Sequence, residues 1–480
     1  MLPMSLFGTG IKSYSQVACS QRRLNCYYDL RSDGDKSEVV VRGTPGLVLW
    51  FTLPTYPIRG WRVVANILYV VAGNTLYSVT TAGVYTALGT IATTTGNVSI
   101  SDNYVQVMIV DSVNGYIFTI LTSVLTIISD GNFPSTGPAS VTFIDGRFIV
   151  NDPQTRQFFV SASFDGTTWT PVMFGTKETY SDLLQAVDNN NGTIIMWGTS
   201  SIEFWQDVGA VGLPYTLIPG TVQNIGLVAL WSRAYMGSSV LFLGVSQEGG
   251  IQIYAIDGYT PKIVSNPDIE QLIDYFTDNF TITDAVALTY AIGSHNFYQL
   301  TFPSANRTLL YDMTSNIWQE VQTGVAVYNR HNGNLGVSFN YRNLISDYSN
   351  GNIYYMSDEA YTDNGIAIKR QIATRHLRSN GNEFTLDEVF LDMETGNALQ
   401  TGQGSNPQIV LQKSKDGGRT FGYERWKTLG LVGQYLAPRV IWRRNGRARD
   451  FVFQFTMTDP VQFVIAGSAL TADGSSEDSK

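Results

Sequence analysis

Three histidines, His295, His331 and His376, and two cysteines, Cys19 and Cys26, are all the chain offers for metal or nucleophile chemistry beyond its carboxylates and hydroxyls. The histidines are isolated in unlike contexts, so a metal site or a histidine-based triad would have to draw on these three alone. The six residues between the cysteines do not match a zinc-ligand spacing, and two cysteines cannot build a disulfide framework. No phosphate-binding Gly-x-x-x-x-Gly-Lys-Ser/Thr loop, dinucleotide Gly-x-Gly-x-x-Gly turn, Gly-x-Ser-x-Gly elbow or His-Glu-x-x-His pair occurs. The expectation is therefore no catalytic residues, no bound metal and no cofactor. One enzyme class merits a comparison, the sialidase-like glycosidases, which need clustered arginines for a substrate carboxylate and a tyrosine and carboxylate pair for the chemistry. Tyr56-Pro57-Ile58-Arg59 holds the residue types of their early Arg-Ile-Pro motif in the wrong order.

The densest charge lies near the end of the chain. Arg439-Val440-Ile441-Trp442-Arg443-Arg444-Asn445-Gly446-Arg447-Ala448-Arg449 places Asn-Gly between two β-prone runs, the signal of a type I′ hairpin. In that hairpin Arg444 faces Arg447 and Trp442 faces Arg449, and like charges opposed across a ribbon cost up to about 1 kcal/mol unless an anion lies over them. Two readings stand. The arginines pair with acids of the same or an adjacent subunit, or they meet passing DNA phosphates, which require positive charge but no sequence-specific groups.

Short strands must position these residues. Runs of Val, Ile, Tyr, Phe and Thr recur between Asn-Gly, Asp-Gly and Gly-Asn turns. Ile67 to Val71 and Thr75 to Val79 make one hairpin, and similar units are centred near 106, 148, 195, 241, 298 and 354. Spacings of about 40 to 50 residues with hairpins in each unit are those of β-propeller blades. Ser163-x-Asp165-Gly166-x-x-Trp169 and Ser414-x-Asp416-Gly417, with Phe421 closing the second, resemble the Asp-box, a turn in which Asp accepts backbone N–H bonds, Gly takes a positive φ and the aromatic packs beneath. Such boxes are structural. Helix is scarce, and the one good candidate is Pro267 to Phe280, with Asn266 as N-cap, Asp268 and Glu270 in the first turn, and Ile269, Leu272, Ile273 and Phe276 on one face.

Composition fits this picture. Of 480 residues only 15% are charged and 44% are hydrophobic, against about 25% charged in ordinary soluble domains. The surface must then be uncharged polar or covered by other subunits. The net charge of −9 is uneven, since residues 366 to 449 hold 14 Lys and Arg against 7 Asp and Glu, while the remainder holds 17 against 33. An acidic body therefore joins a basic module. There is no signal peptide and no apolar run long enough to cross a bilayer, so the chain reads as cytosolic at synthesis, with no membrane anchor. The expected organisation is an N-terminal arm over 1–45, a propeller-like body over 46–365, a basic antiparallel β module over 366–470 and a disordered tail over 471–480. The fold class is all-β: an irregular propeller of about six or seven blades plus a β-sheet or sandwich module that the C-terminal region forms with the N-terminal arm.

Several motifs together resemble a known family. Thr193-Ile194-Ile195-Met196-Trp197-Gly198-Thr199-Ser200-Ser201-Ile202-Glu203-Phe204-Trp205 is similar to a blade motif of the tail hub, or nozzle, proteins of short-tailed bacteriophages, the packaged DNA stabilisation family. Asp416-Gly417-Gly418, the arginine run from Arg439 to Arg449 and Pro460-Val461 follow the family's C-terminal order, although Gly422-Tyr423 reverses its Tyr-Gly. Asn25-Cys26-Tyr27 and Arg42-Gly43-Thr44-Pro45-Gly46-Leu47 are similar to its opening. The resemblance implies a non-enzymatic virion protein made in the host bacterial cytoplasm and built into the phage tail. It implies a homohexameric ring below the portal adaptor, contacts with the tail needle and with tailspikes or tail fibres, and a channel that retains and conducts packaged double-stranded DNA. A propeller that binds or hydrolyses glycans is the alternative.

Overall fold

The computed structural model describes residues 7, 21–30, 39–379, 381–434 and 439–473. Six antiparallel blades of four or five strands follow one another over residues 58–90, 99–127, 141–176, 184–217, 225–263 and 286–321, the last of them part of a larger sheet. A seventh blade has strands Gly333–Phe339, Arg342–Asp347 and Asn352–Ser357, and its outer strand is Gly46–Thr52, supplied from the start of the chain. The propeller thus has seven blades.

Each blade is apolar on both faces because each packs against two neighbours. That is why second strands such as Gln106–Val110 and Thr193–Gly198 are almost wholly buried instead of alternating. Separate apolar cores fill the gaps between consecutive blades. The closing one joins Leu68, Val70 and Ala72 of the first blade to Phe339, Leu344 and Ile353 of the seventh. Each such side chain contributes roughly 1.5 to 3 kcal/mol when removed from water. Turn residues set the hairpins: Asn66 at φ 62° and Gly146 at φ 79° hold the left-handed conformation that tight turns require.

The helix Pro267–Asn279 links the fifth and sixth blades, with the Asn266 side chain accepting from the Ile269 N–H at 3.0 Å. Ile269, Ile273 and Phe276 are buried against the sheets, whereas Leu272 is half-buried. Its apolar stripe is core, as its spacing predicts.

The second unit is a sandwich. One sheet runs in the order Cys26–Leu30, Val39–Gly43, Val464–Asp473, Phe384–Met393, Arg439–Ala448. The facing sheet contains Arg23–Leu24, Arg370–Ala373, Asp450–Met457, Gln408–Ser414 and Arg425–Thr428. Leu386, Val389, Leu391, Trp442, Phe451, Phe453 and Phe455 fill the space between them with Cys26. Burial pushes the Cys26 thiol up to about 12, so it stays protonated and unreactive; Cys19 lies outside the described residues.

Propeller and sandwich share a sheet. Leu24 pairs in parallel with Glu320 on the last strand of the sixth blade and antiparallel with Gln371 of the sandwich. Asn25, buried at φ 53°, fastens this junction. Its side-chain N–H groups donate to the carbonyls of Gln322 (3.0 Å) and Lys369 (2.9 Å), and its Oδ1 accepts from the Gln322 N–H at 2.9 Å.

Two expectations need correction. Thr471–Asp473 belong to the strand Val464–Asp473, where Thr385 pairs with Asp473, so they are not part of a disordered tail; residues 474–480 lie outside the described residues. The run 439–449 is not a hairpin. Arg439–Ala448 is one continuous strand paired with Phe384–Met393, and the chain crosses to the other sheet after Arg449. Asn445-Gly446 forms a bulge in which Asp387 alone faces Arg444 and Asn445, with Arg444 at φ 59° and Gly446 at φ 86°. The same left-handed preference that favours a turn at Asn-Gly also serves a bulge.

Candidate functional site

The basic strand is an edge strand, and its arginines divide into two groups. On one face Arg439 pairs with Asp392 (2.9 Å), Arg443 with Glu388 (2.5 Å) and Arg447 with Glu383 (3.2 Å), all from the neighbouring strand Phe384–Met393 or its approach. Hydrogen bonding to those carboxylates pushes the Arg439 and Arg443 guanidinium groups further up. Arg444 and Arg449 point to solvent without a carboxylate partner among the described residues. Trp442 faces inward, fully buried, and its indole N–H donates to the Arg425 carbonyl at 3.0 Å. With no hairpin, Trp442 does not face Arg449.

The free edge of this strand is covered by cations from the opposite sheet. Arg425 donates to the Arg443 carbonyl (2.5 Å) and to Asn445 Oδ1 (2.8 Å), Lys413 to the Asn445 carbonyl (2.8 Å), and Lys415 to the Arg447 carbonyl (3.1 Å). Gly446 permits the last approach, because a Cβ there would lie 3.2 Å from Lys415 Nζ. Nothing in the sequence spacing pointed to Lys413, Lys415 or Arg425, since all three reach the strand across the sandwich. Desolvation and then the charges of Lys415 and Arg425 push the Lys413 amine down.

The two Asp-box-like turns differ. Asp416 accepts from Ser414 Oγ (2.6 Å), the backbone N–H groups of Arg419 and Thr420 (both 3.0 Å) and Thr420 Oγ1, and these bonds hold its carboxyl well below the usual range. Gly417 sits at φ 74° and Phe421 is half-buried. In the other turn Asp165 accepts from the Thr167 N–H at 2.9 Å and from the hydroxyls of Thr167 and Thr168, while Trp169 is buried and donates from its indole to the Gly166 carbonyl at 2.9 Å. There the left-handed residue is Phe164 (φ 55°) beside Ser163, not Gly166 as expected. Gly166 is required for space instead: a Cβ would lie 2.6 Å from Ile117 Cδ1 and 3.0 Å from the Phe148 ring.

The histidines are dispersed. His295 bonds Asp312 through Nδ1 at 2.8 Å in the sixth blade, and His376 bonds Asp450 at 2.8 Å in the sandwich. Burial pushes His331 down to about 4, and its Nδ1 accepts the Gly333 N–H at 3.0 Å. Among the described residues no three His, Cys, Asp and Glu side chains converge as a metal site. Arg59, the arginine of the glycosidase comparison, is buried and gives all its N–H groups to the protein, including the carbonyls of Gly73 (3.0 Å), Thr93 (2.7 Å) and Thr95 (2.7 Å). No N–H is left for a substrate carboxylate.

A seven-bladed β-propeller joined through a shared sheet to a β-sandwich is the fold class this chain presents. Residues 25–361 match the sequence model described as bacteriophage P22 Gp10, beta-propeller, and residues 369–473 match bacteriophage P22 Gp10, beta-sandwich. The chain belongs to that family of phage stabilisation proteins, components of the virion tail. No curated protein matches it significantly. Among solved structures it is similar to the computationally designed Ika8 protein (8% identity, TM-score 0.39, covering 70% of this chain and 100% of that one). It is also similar to the WD40 beta propeller domain of Doa1 (10% identity, TM-score 0.41, 65% and 97%). A third is PorZ, a surface component of the type-IX secretion system of Porphyromonas gingivalis (12% identity, TM-score 0.36, 72% and 45%).

Proposed function

We propose that this protein is the non-catalytic tail hub, or nozzle, of a short-tailed phage. Six copies form a ring below the portal adaptor, carry the tail needle, meet tailspikes or tail fibres at the periphery, and surround the channel that retains and later conducts double-stranded DNA. The observation that carries this reading is the family match over both units, together with the sheet that runs without interruption from the sixth blade into the sandwich. A subunit that must withstand the pressure of a packed genome is served by a junction built from a shared ladder and a buried Asn25 rather than a linker. The low charge density supports the same reading, because a ring subunit places much of its uncharged polar surface against neighbours. Among the described residues no helix is long and apolar enough to cross a membrane.

The test is light scattering and negative-stain microscopy of the full chain, alone and with the portal adaptor. Six-fold rings, formed alone or on the adaptor, are expected. A chain that stays monomeric in the presence of its adaptor refutes the ring.

A further inference from the structure

The cations around the bulge at Asn445 are more numerous than its structure requires. Lys413, Lys415 and Arg425 converge from the opposite sheet on four oxygens, the carbonyls of Arg443, Asn445 and Arg447 and the Asn445 side-chain oxygen, and Arg444 and Arg449 are exposed in the same region. Among the described residues none of these five forms an ion pair with a carboxylate, whereas Arg439, Arg443 and Arg447 beside them each do. A carbonyl edge could be capped by neutral amides at no cost in repulsion. Here it is capped by like charges, and after desolvation the charges of Lys415 and Arg425 push the Lys413 amine down. Their bonding capacity is also incompletely used: each lysine amine spends one of three N–H donors on the strand, and Arg425 bonds through only its two terminal nitrogens.

We infer that this convergence is a phosphate-binding ridge that takes the phosphodiester backbone of double-stranded DNA. The inference rests on the hub reading above and assigns the DNA-facing work to Lys413, Lys415, Arg425, Arg444 and Arg449. The acid-paired Arg439, Arg443 and Arg447 are structural. Contacts with phosphate oxygens need donors and charge but no base recognition, which fits a groove past which any sequence travels. The left-handed bulge brings Arg444 outward, and Gly446 leaves room for Lys415 to lie across the strand.

The test is binding of a labelled duplex of about 30 base pairs to the full chain over a salt series. Replacing both lysines, Lys413→Gln with Lys415→Gln, keeps an N–H donor for each capped carbonyl and removes two charges. We expect affinity to fall on the order of tenfold at about 0.1 M salt and the salt slope to shrink by about two. Lys262→Gln with Arg342→Gln, exposed propeller residues, changes net charge equally and is expected to leave both nearly unchanged. Equal weakening by the two pairs overturns the ridge, as does preferential competition by polyglutamate, which would mark it as a protein-docking surface. In the unmodified protein, duplex DNA should protect Lys413 and Lys415 from acetylation while Lys262 stays reactive; equal labelling with and without DNA overturns the assignment whatever the variants do. Rings that assemble yet bind no duplex refute this inference and leave the hub standing. Duplex binding through these residues by a chain that forms no ring does the reverse.

Discussion

The cations at the propeller's blade junctions and those at the sandwich's open edge serve opposite ends. In the propeller the key cations are interior: Arg59 ties together the loops between the first two blades, Lys177 lies fully buried against Asp182 and Ser201, and Arg233 pairs with Asp188 beneath the fifth blade. Each holds a blade junction, and desolvation is the first cause lowering each one's affinity for its proton. In the sandwich Arg23 and Arg370 are also buried, but Lys413, Lys415 and Arg425 sit at a sheet edge, over carbonyls that would otherwise recruit another strand. A buried cation is costly to leave unpartnered, so at the propeller's junctions charge serves closure. An edge cation retains spare donors and solvent access, so in the sandwich the same residue types remain available to a partner.

Substitutions separate the two regimes. The largest effect is expected for Arg59→Ala, which strands several buried carbonyls and opens a cavity; a loss of about 3 to 5 kcal/mol should appear in urea unfolding. Acid comes next. His331 is held neutral, with a folded value of about 4 below the ordinary 6.5. The unfolded chain therefore binds the extra proton first, and stability present above about pH 6.5 is lost as pH falls towards 4, on the order of 3 kcal/mol in all. His331→Asn should flatten that part of the profile. Asn25→Ala should cost about 2 kcal/mol by leaving buried junction groups unpaired, and calorimetry is expected to show a wider separation between propeller and sandwich melting than in the unmodified chain.

Asp416 titrates in a different window. Its folded carboxyl is depressed, so its contribution is present above about pH 4 and disappears as pH falls through the lower folded value. Asp416→Asn should remove acid sensitivity from the sandwich alone, followed by its tryptophan fluorescence below pH 4. The smallest effect is expected at Arg443, whose ion pair with Glu388 is solvent-exposed: Arg443→Gln should leave the melting temperature unchanged within error.

Local pattern made much of this legible. Blade hairpins such as 67–79 follow from turn residues between β-branched runs, and the helix follows from Asn266, Pro267 and a four-residue apolar repeat. What sequence could not supply was pairing at long range. Gly46–Thr52 has no local mark that makes it the outer strand of a blade some 300 residues later. Asn445-Gly446 fits a hairpin and a bulge equally, and only the presence of Phe384–Met393 alongside decides between them. The charge split between body and module was readable, but the division of its arginines into acid-paired and unpaired groups depends on which strand lies next to which.

The route of the chain through its two closures bears on when the protein can fold. The seventh blade waits on a strand made first, Gly46–Thr52, and the sandwich sheet joins Val39–Gly43 to Val464–Asp473. On the ribosome, the seventh blade can close once Asn352–Ser357 has emerged, whereas the sandwich must wait for Val464–Asp473, so early strands remain open-edged for most of synthesis. The ring of blades can thus be completed well before the sandwich, and a product lacking the last strand would carry a closed propeller beside Val39–Gly43 with an unpaired edge.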